Sequence, residues 1–267
     1  MRSVLFVRSG GGLPGLDIHA GIWLALAEAG ITPSALSGTS AGAIISGLQA
    51  SGRSHEWTAG LIASLRDRDV RKERFAWKAR IPWIDYWLDP APIAGLLEST
   101  LVSGWNDLIM PLRVWSTDVQ NGNIKDTAES ALASTPAQAI LSSMSICGVF
   151  PPVILNDGRA YVDGGVRLNL PLPNNWRDYD DVYLLIATGG SLDYHRKHGI
   201  LTNLIRNVQI MQFDQIADVL AVTDGAPNVH VVWPQIPTPR GALHFDHRLI
   251  TEAYHLTIKA LGRIDND

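Results

Sequence analysis

The chain has 267 residues, of which 46% are hydrophobic and 18% are charged, with a formal net charge of −4 at pH 7. This balance is typical of an ordinary folded domain and excludes a disordered chain. It also argues against a nucleic-acid-binding protein, because the densest basic stretch, residues 66–80, is interleaved with Asp67, Asp69 and Glu73.

Cysteine content and the N-terminal sequence bear on location. Cys147 is the single cysteine, so no internal disulfide forms. The apolar run at residues 4–7 is too short for a signal peptide. No stretch approaches the roughly 18 apolar residues of a membrane span. We therefore expect a cytoplasmic protein; export by a signal-less route would leave no mark in the sequence.

Strand-like and helix-like segments alternate along the chain. Strands are predicted at residues 3–8, 35–37, 112–119, 160–162, 181–188 and 229–233, with a hairpin strand at 123–127 after an Asn-Gly turn. Helices are predicted at residues 18–29, 41–50, 54–67, 92–101, 136–145, 200–222 and 246–261. This order favours one α/β domain over residues 1–267, with a mostly parallel central sheet covered by helices on both faces.

A glycine-rich loop, Gly10 to Gly15, follows the first strand. Consecutive glycines let backbone N–H groups converge on one point, which favours binding of an anion. The loop is compatible with a phosphate-binding loop, an oxyanion hole or a flexible turn. Gly10, Gly12 and Gly15 satisfy the dinucleotide pattern G-x-G-x-x-G, but the acid expected about 20 residues later is poorly placed at Glu28. The phosphate-loop pattern fails because no Gly-Lys-Ser/Thr follows.

The pentapeptide Gly38-Thr39-Ser40-Ala41-Gly42 fits G-x-S-x-G, the nucleophile elbow. A tight turn from strand to helix lifts the serine hydroxyl out of the sheet, and the crowded backbone requires small residues at Gly38 and Gly42. The helix that begins near Ala41 would direct its N-terminus at the site, where negative charge is stabilised. Taken alone, this pentapeptide is also typical of ordinary small-residue turns.

The third segment is Asp163-Gly164-Gly165, which a short predicted strand precedes. The strand would place the carboxylate of Asp163 at the start of a glycine turn. By itself this pattern is compatible with a plain turn.

The three segments in this order resemble the patatin-like phospholipase family. The resemblance extends from Val4 to Leu261. Further segments that match the family's pattern are Trp115–Gly122, Ser142–Val153, Asn169–Pro171 and the final helix after His244-Phe245-Asp246.

The resemblance implies a patatin-like three-layer α/β/α fold and a serine acyl hydrolase that cleaves lipid acyl esters, as a phospholipase A or lysophospholipase. It implies that Ser40 is the nucleophile and Asp163 its general base, and that an acyl-enzyme forms without a metal or cofactor. Partial burial of Asp163 would raise its pKa and strengthen it as a base. The implied oxyanion hole comprises Gly10, Gly11, Gly12 and Ala41, and the supporting motif residues are Gly15, Gly38, Gly42, Gly164 and Gly165.

Two positions depart from the family's pattern. Pro14 stands where the family commonly has Arg or Lys, which removes one N–H group and one charge from the loop. Cys147 stands where the family often has Pro, and we expect it to be a small buried hydrophobic residue rather than a nucleophile.

A tryptophan-rich stretch near residues 70–105 has two interpretations. It contains four of the nine tryptophans between Phe75 and Trp105. It is either a lid or insertion that receives acyl chains and makes transient peripheral contact with a membrane, or an aromatic core beneath a loop.

Three alternatives stay open. One is a histidine base, His244 or His247, as in α/β-hydrolases. The second is a catalytically silent protein of the patatin fold that binds a lipid or a partner. The third is a nucleotide-binding protein that uses Gly10 to Gly15. The sequence does not indicate an oligomeric state.

Overall fold

The computed structural model describes residues 2–73, 86–128, 132–188, 200–238 and 242–264. The strands are β1 (Val4–Arg8), β2 (Ala35–Gly38), β3 (Lys72–Glu73), β4 (Leu88–Asp89), β5 (Leu112–Asp118), β6 (Ile124–Asp126), β7 (Val153–Ile154), β8 (Ala160–Asp163), β9 (Asp181–Leu185) and β10 (Val229–Val232). The helices are α1 (Gly12–Glu28), α2 (Ala41–Ala50), α3 (His55–Ser64), α4 (Asp67–Val70), α5 (Ala91–Thr100), α6 (Pro136–Ser143), α7 (Ile200–Thr223) and α8 (Arg248–Ile264).

The central sheet has the strand order β10-β9-β1-β2-β5-β8-β7, and β6 pairs with β5 beside this path. The five strands from β10 to β5 run parallel, whereas β6, β7 and β8 join by antiparallel pairing. The carboxyl ends of β1 and β2 therefore lie side by side, which is where ligands bind in open α/β sheets. Strands β3 and β4 form a separate pair.

Helices cover both faces of the sheet. The larger core joins Phe6, Leu36 and Val114 on one face of the sheet to the apolar sides of α1, α2, α5, α6 and α8. The smaller core joins Leu5 and Val7 on the opposite face to α7. This arrangement confirms the predicted three-layer α/β fold with a mostly parallel sheet.

The first helix differs from its prediction. It begins at Gly12 rather than at Ile18, and Gly12 itself has a positive φ of 65°. Pro14 is accommodated because first-turn N–H groups have no acceptor within the helix. The helix predicted at residues 54–67 is also shorter, since α3 ends at Ser64 and α4 follows as a single turn.

The tryptophan-rich stretch is only partly described, because Trp77 and Trp83 lie in residues 74–85, outside the described residues. Trp87 and Trp105 are partly buried against the larger core. The indole N–H of Trp105 donates to the Ala133 carbonyl at 2.9 Å. These two side chains therefore favour the aromatic-core interpretation. Within the described ranges, no helix combines the length and the apolar character needed to cross a bilayer.

Candidate active site

Ser40 occupies the turn between β2 and α2 with φ 53° and ψ −121°. A positive φ at a residue with a side chain costs about 1–3 kcal/mol and persists only where the surroundings impose it. The flanking glycines allow this turn. A Cβ on Gly38 would lie 2.6 Å from the Gly42 carbonyl oxygen, and one on Gly42 would lie 2.5 Å from the Arg8 carbonyl oxygen. The G-x-S-x-G segment is therefore a strained strand-to-helix turn.

Hydrogen bonds hold the Ser40 backbone in place. Its N–H donates to the Ser143 hydroxyl at 3.0 Å, and that hydroxyl donates to the Trp115 carbonyl at 2.6 Å. The Thr39 hydroxyl donates to the Leu168 carbonyl at 3.0 Å. The turn is thus bound both to β5 and to the loop that follows Asp163.

Asp163 lies at the end of β8, where it pairs with Ser116 of β5. Its carboxylate accepts the Gly165 N–H at 2.7 Å, and the Ser40 side chain lies close enough to lower its pKa. The residue is 4% exposed. Burial raises the pKa of Asp163 from 3.8 to about 6, and the hydrogen bonds from Ser40 and Gly165 lower it in part. A carboxylate in such an environment is a stronger base than a solvated one.

The two glycines after Asp163 allow its carboxylate to lie close to Ser40. A Cβ on Gly164 would collide with the Trp115 carbonyl oxygen and lie 3.2 Å from Thr39 Cγ2. Gly165 supplies the N–H that holds the carboxylate. The D-G-G segment therefore brings an acid to the serine through close backbone packing.

The glycine-rich loop lies against the elbow. A Cβ on Gly10 would lie 3.4 Å from Ser40 Cβ, and one on Gly15 would lie 3.2 Å from Ala41 Cβ. The N-termini of α1 and α2 are thus neighbours at the serine. Helix N-termini present unpaired N–H groups and favour negative charge.

The available donors are fewer than the sequence suggests. Within the described part of the chain, the N–H groups of Gly11, Gly12 and Ala41 have no hydrogen-bond partner. Gly10 differs, because its N–H donates to the Asn169 carbonyl at 3.0 Å. Gly10 therefore serves close packing in this structure, and three N–H groups remain to bind an anion.

The two late histidines lie elsewhere. His247 Nδ1 is 2.8 Å from Asp17 Oδ1, and its Nε2 is 2.8 Å from the Leu65 carbonyl oxygen. His244 Nδ1 is 2.7 Å from Asp67 Oδ2. Neither histidine contacts Ser40 or Asp163 in the described structure, so the arrangement of an α/β-hydrolase triad is absent from this site.

Cys147 is exposed, so the expectation of a buried hydrophobic residue was wrong. It follows α6 in a turn that leaves the residue at the surface. Partial desolvation and, to a smaller extent, the charge of Asp163 raise the pKa of its thiol. A protonated thiol is a poor nucleophile.

Sequence reasoning missed two residues of the site, Ser143 and Asn169. Both lie in segments that resemble the family, but nothing in the residue types indicated their contacts. The carbonyl of Asn169 accepts the Gly10 N–H, and its side chain is fully buried. Among the described residues, no group of three or more His, Cys, Asp or Glu side chains is arranged to hold a metal ion.

The fold and the strained turn at Ser40 define a three-layer α/β protein with a G-x-S-x-G turn at the carboxyl edge of its parallel strands. A family model described as "Patatin-like phospholipase" matches residues 6–176. The chain belongs to the patatin-like phospholipase family, a family of lipid acyl hydrolases.

Curated relatives are similar to this chain in sequence, and a solved structure shares its fold. Lysophospholipase nte1 of Neurospora crassa is 29% identical over 192 residues, which cover 72% of this chain but 12% of that protein. Protein YqhO of Bacillus subtilis is 32% identical over 188 residues, which cover 62% of this chain and 64% of that protein. The crystal structure of VipD from Legionella pneumophila has the same fold, with a TM-score of 0.58, 15% identity, and coverage of 98% of this chain and 67% of that chain.

Proposed function

We propose that the protein hydrolyses acyl esters of lipids, as a phospholipase A or lysophospholipase, through a Ser40–Asp163 dyad. The observation that carries this proposal is the closeness of the Ser40 side chain to the buried carboxylate of Asp163, whose pKa it lowers. The raised pKa, about 6, brings Asp163 closer to neutral pH and makes it a better proton acceptor.

Acylation then proceeds as follows. Asp163 accepts the hydroxyl proton while Ser40 Oγ attacks the ester carbonyl carbon. The N–H groups of Gly11, Gly12 and Ala41 hold the resulting oxyanion, and each such donor is worth about 3 kcal/mol in other hydrolases. The tetrahedral intermediate collapses, and the departing alcohol takes the proton from Asp163. The fatty acyl group remains on Ser40 until water releases it.

The substrate class is supported by the family and the relatives. The family is described as a phospholipase family, and the Neurospora crassa relative is named a lysophospholipase. Because the chain spans only about an eighth of that relative, the lipid specificity of this chain is part of the proposal.

We also propose transient contact with a membrane surface. In helix α7, Ile210 and Met211 are each 45% exposed. The next residue, Gln212, has its amide close to Gly165 beside the carboxylate. Two exposed apolar side chains on the helix that reaches the site through Gln212 suit contact with a lipid surface. We expect Ile210→Ser with Met211→Ser to raise KM for phospholipid vesicles but not for soluble p-nitrophenyl butyrate.

The experiment that tests the function measures fatty acid release from phospholipids, lysophospholipids and p-nitrophenyl esters. Wild type is compared with Ser40→Ala and Asp163→Asn, with folding checked by circular dichroism. The proposal expects loss of activity in both variants. Full activity of Asp163→Asn would contradict the dyad, and an inactive wild type that resists fluorophosphonate labelling would favour the silent lipid- or partner-binding protein.

A further inference from the structure

The side-chain amide of Gln212 in α7 lies beside Asp163 and is open to a ligand. A Cβ on Gly165 would lie 2.7 Å from Gln212 Nε2 and 3.0 Å from Asp163 Oδ1, so these two atoms are at most about 5.7 Å apart. Among the described residues, the Gln212 amide has no hydrogen-bond partner, and its side chain is half-buried with polar atoms that are not sealed from solvent. The amide is therefore free to bind a group that arrives from outside.

The Gln212 amide does not act on the carboxylate itself. The pKa of Asp163 responds to burial, to Ser40 and to Gly165, and Gln212 makes no contribution to it. Ser40 and Asp163 are only 6% and 4% exposed, so the half-buried Gln212 lies nearer to solvent than either residue. The part of a substrate that extends from the dyad toward solvent can therefore meet this amide.

The proposed acylation step places the alcohol part of the ester next to Asp163, because this carboxylate returns a proton to the departing oxygen. Such a transfer needs about 3 Å between the two oxygens. In a staggered conformation, a hydroxyl on the next carbon lies about 3 Å from the departing oxygen. A hydroxyl on that carbon therefore comes within hydrogen-bonding reach of an amide as close to Asp163 as that of Gln212.

The Gln212 amide suits a hydroxyl better than it suits a phosphate. Amide and hydroxyl groups can each donate and accept hydrogen bonds. A phosphate at this place would lie close to the ionised Asp163, and like charges repel strongly where water is excluded. We therefore expect the substrate group at Gln212 to be neutral.

We propose that Gln212 is a specificity residue, which hydrogen-bonds a free hydroxyl on the carbon next to the scissile ester. The proposal rests on the proposed hydrolase function and names its substrate class, the acyl esters of glycerol in which the neighbouring hydroxyl is free. Lysophospholipids and monoacylglycerols share this hydroxyl, whereas diacyl phospholipids lack it. Gln212 thus favours monoacyl over diacyl lipids.

The test measures butyric acid release from 2-hydroxyethyl butyrate and propyl butyrate, soluble esters in which a hydroxyl and a methyl group occupy the same position. We expect Gln212→Leu to lower kcat/KM for 2-hydroxyethyl butyrate about three- to tenfold, because one neutral hydrogen bond is lost. The value for propyl butyrate should not fall. The matched control is Asn207→Leu, which replaces an exposed amide on another side of α7 and should change neither value.

Long-chain lipids distinguish the hydroxyl from the phosphate. Gln212→Leu should show the same fall with 1-palmitoylglycerol and with 1-palmitoyl lysophosphatidylcholine, because both carry the neighbouring hydroxyl. A fall confined to lysophosphatidylcholine would assign the amide to the phosphate and overturn the proposal.

Gln212→Glu tests the position of this side chain without any lipid. A second carboxylate so close to Asp163 disfavours the ionised form of Asp163. The pH midpoint of Ser40 phosphonylation by a fluorophosphonate should therefore rise above that of wild type. An unchanged midpoint would place the side chain away from the dyad and contradict the proposal.

An equal fall on both butyrate esters in Gln212→Leu, or no fall on either, would overturn the role in specificity. A wild-type enzyme that releases no acid from any of these esters would instead overturn the hydrolase proposal itself. Labelling of Ser40 in Gln212→Leu by a fluorophosphonate at the wild-type rate verifies that the dyad is intact.

Discussion

The hydroxyl of Ser143 joins the Ser40 backbone to the central sheet, since it accepts the Ser40 N–H at 3.0 Å and donates to the Trp115 carbonyl at 2.6 Å. Ser40 lies between β2 and α2, and among the described residues its N–H donates to no backbone carbonyl. Ser143 supplies the acceptor that this N–H needs. The strained turn is therefore stabilised by a side chain from α6, more than one hundred residues later in the chain.

This contact predicts a specific effect of Ser143→Ala. Because the buried N–H of Ser40 loses its acceptor, we expect a stability loss of about 1–3 kcal/mol and a fall in kcat of about tenfold. The matched control is Ser142→Ala, since Ser142 is also buried but bonds Ser116 and the Ala139 carbonyl instead. Urea unfolding and ester hydrolysis should give a stability loss in both variants but reduced kcat in Ser143→Ala alone. Equal kcat in the two variants would argue against a role for this contact in positioning Ser40.

A second prediction concerns stability against pH. Burial raises the pKa of Asp163 to about 6 in the folded protein, so the folded state binds this proton more tightly than the unfolded chain. The stability from this group is present below about pH 4 and is lost as pH rises through about 6. Replacement by Asn removes a buried charge, so Asp163→Asn should be more stable than wild type at pH 7.5 by about 3 kcal/mol.

Urea titrations at pH 4.5, 6 and 7.5 measure this difference. Ser40→Ala keeps the carboxylate but removes a hydroxyl that lowers its pKa, so the stability of this variant should fall with rising pH at least as steeply as that of wild type. If Asp163→Asn gains no stability over wild type at pH 7.5, the buried charge is not destabilising and the raised pKa is wrong.

A third prediction compares two glycines. A Cβ on Gly10 would lie 2.5 Å from Asn169 Oδ1 and 3.4 Å from Ser40 Cβ, so Gly10→Ala should destabilise the fold by about 1–3 kcal/mol and reduce activity at least tenfold. Gly95 of α5 has nothing within 4 Å of the same position. Gly95→Ala should therefore keep full activity and gain up to about 1 kcal/mol. Thermal unfolding and ester hydrolysis measure both effects, and full activity of Gly10→Ala would refute the tight packing at this loop.

A fourth prediction concerns His247. Its Nδ1 lies near the Asp17 carboxylate and its Nε2 lies near the Leu65 carbonyl oxygen. These two contacts connect the start of α8 to α1 and to the end of α3. His247→Gln should lose about 1–3 kcal/mol of stability because a buried carboxylate loses its partner. It should nevertheless retain most of the esterase activity, as should His244→Gln. An inactive but folded His247→Gln would revive the histidine base.

Local patterns predicted much of the fold and the core of the candidate site. The turn glycines and small residues around Ser40 need no distant contact to be recognised, and α2 begins and ends where the pattern predicts, at Ala41 and Ala50. The meeting of the glycine loop with Ser40 follows from parallel strands, because β1 and β2 are neighbours and both loops leave their carboxyl ends.

The remaining features depend on contacts between distant segments. The Gly10 N–H is taken by the Asn169 carbonyl, and no local pattern at either residue encodes that pairing. The exposure of Cys147 reflects the path of the turn after α6, which its residue type did not reveal. His244 and His247 were considered as bases because they lie late in the chain. The position in the chain does not reveal that their partners are Asp67 and Asp17.

The central claim is that Asp163 removes the proton from Ser40, and the most direct test is the rate of Ser40 phosphonylation by a fluorophosphonate as a function of pH. Asp163 must be ionised to act, and its pKa is raised to about 6. The wild-type rate should therefore rise through about pH 6 and level off above it, whereas Asp163→Asn should react far more slowly and without this transition. Phosphonylation of Asp163→Asn at the wild-type rate, or labelling at a residue other than Ser40, would contradict the dyad.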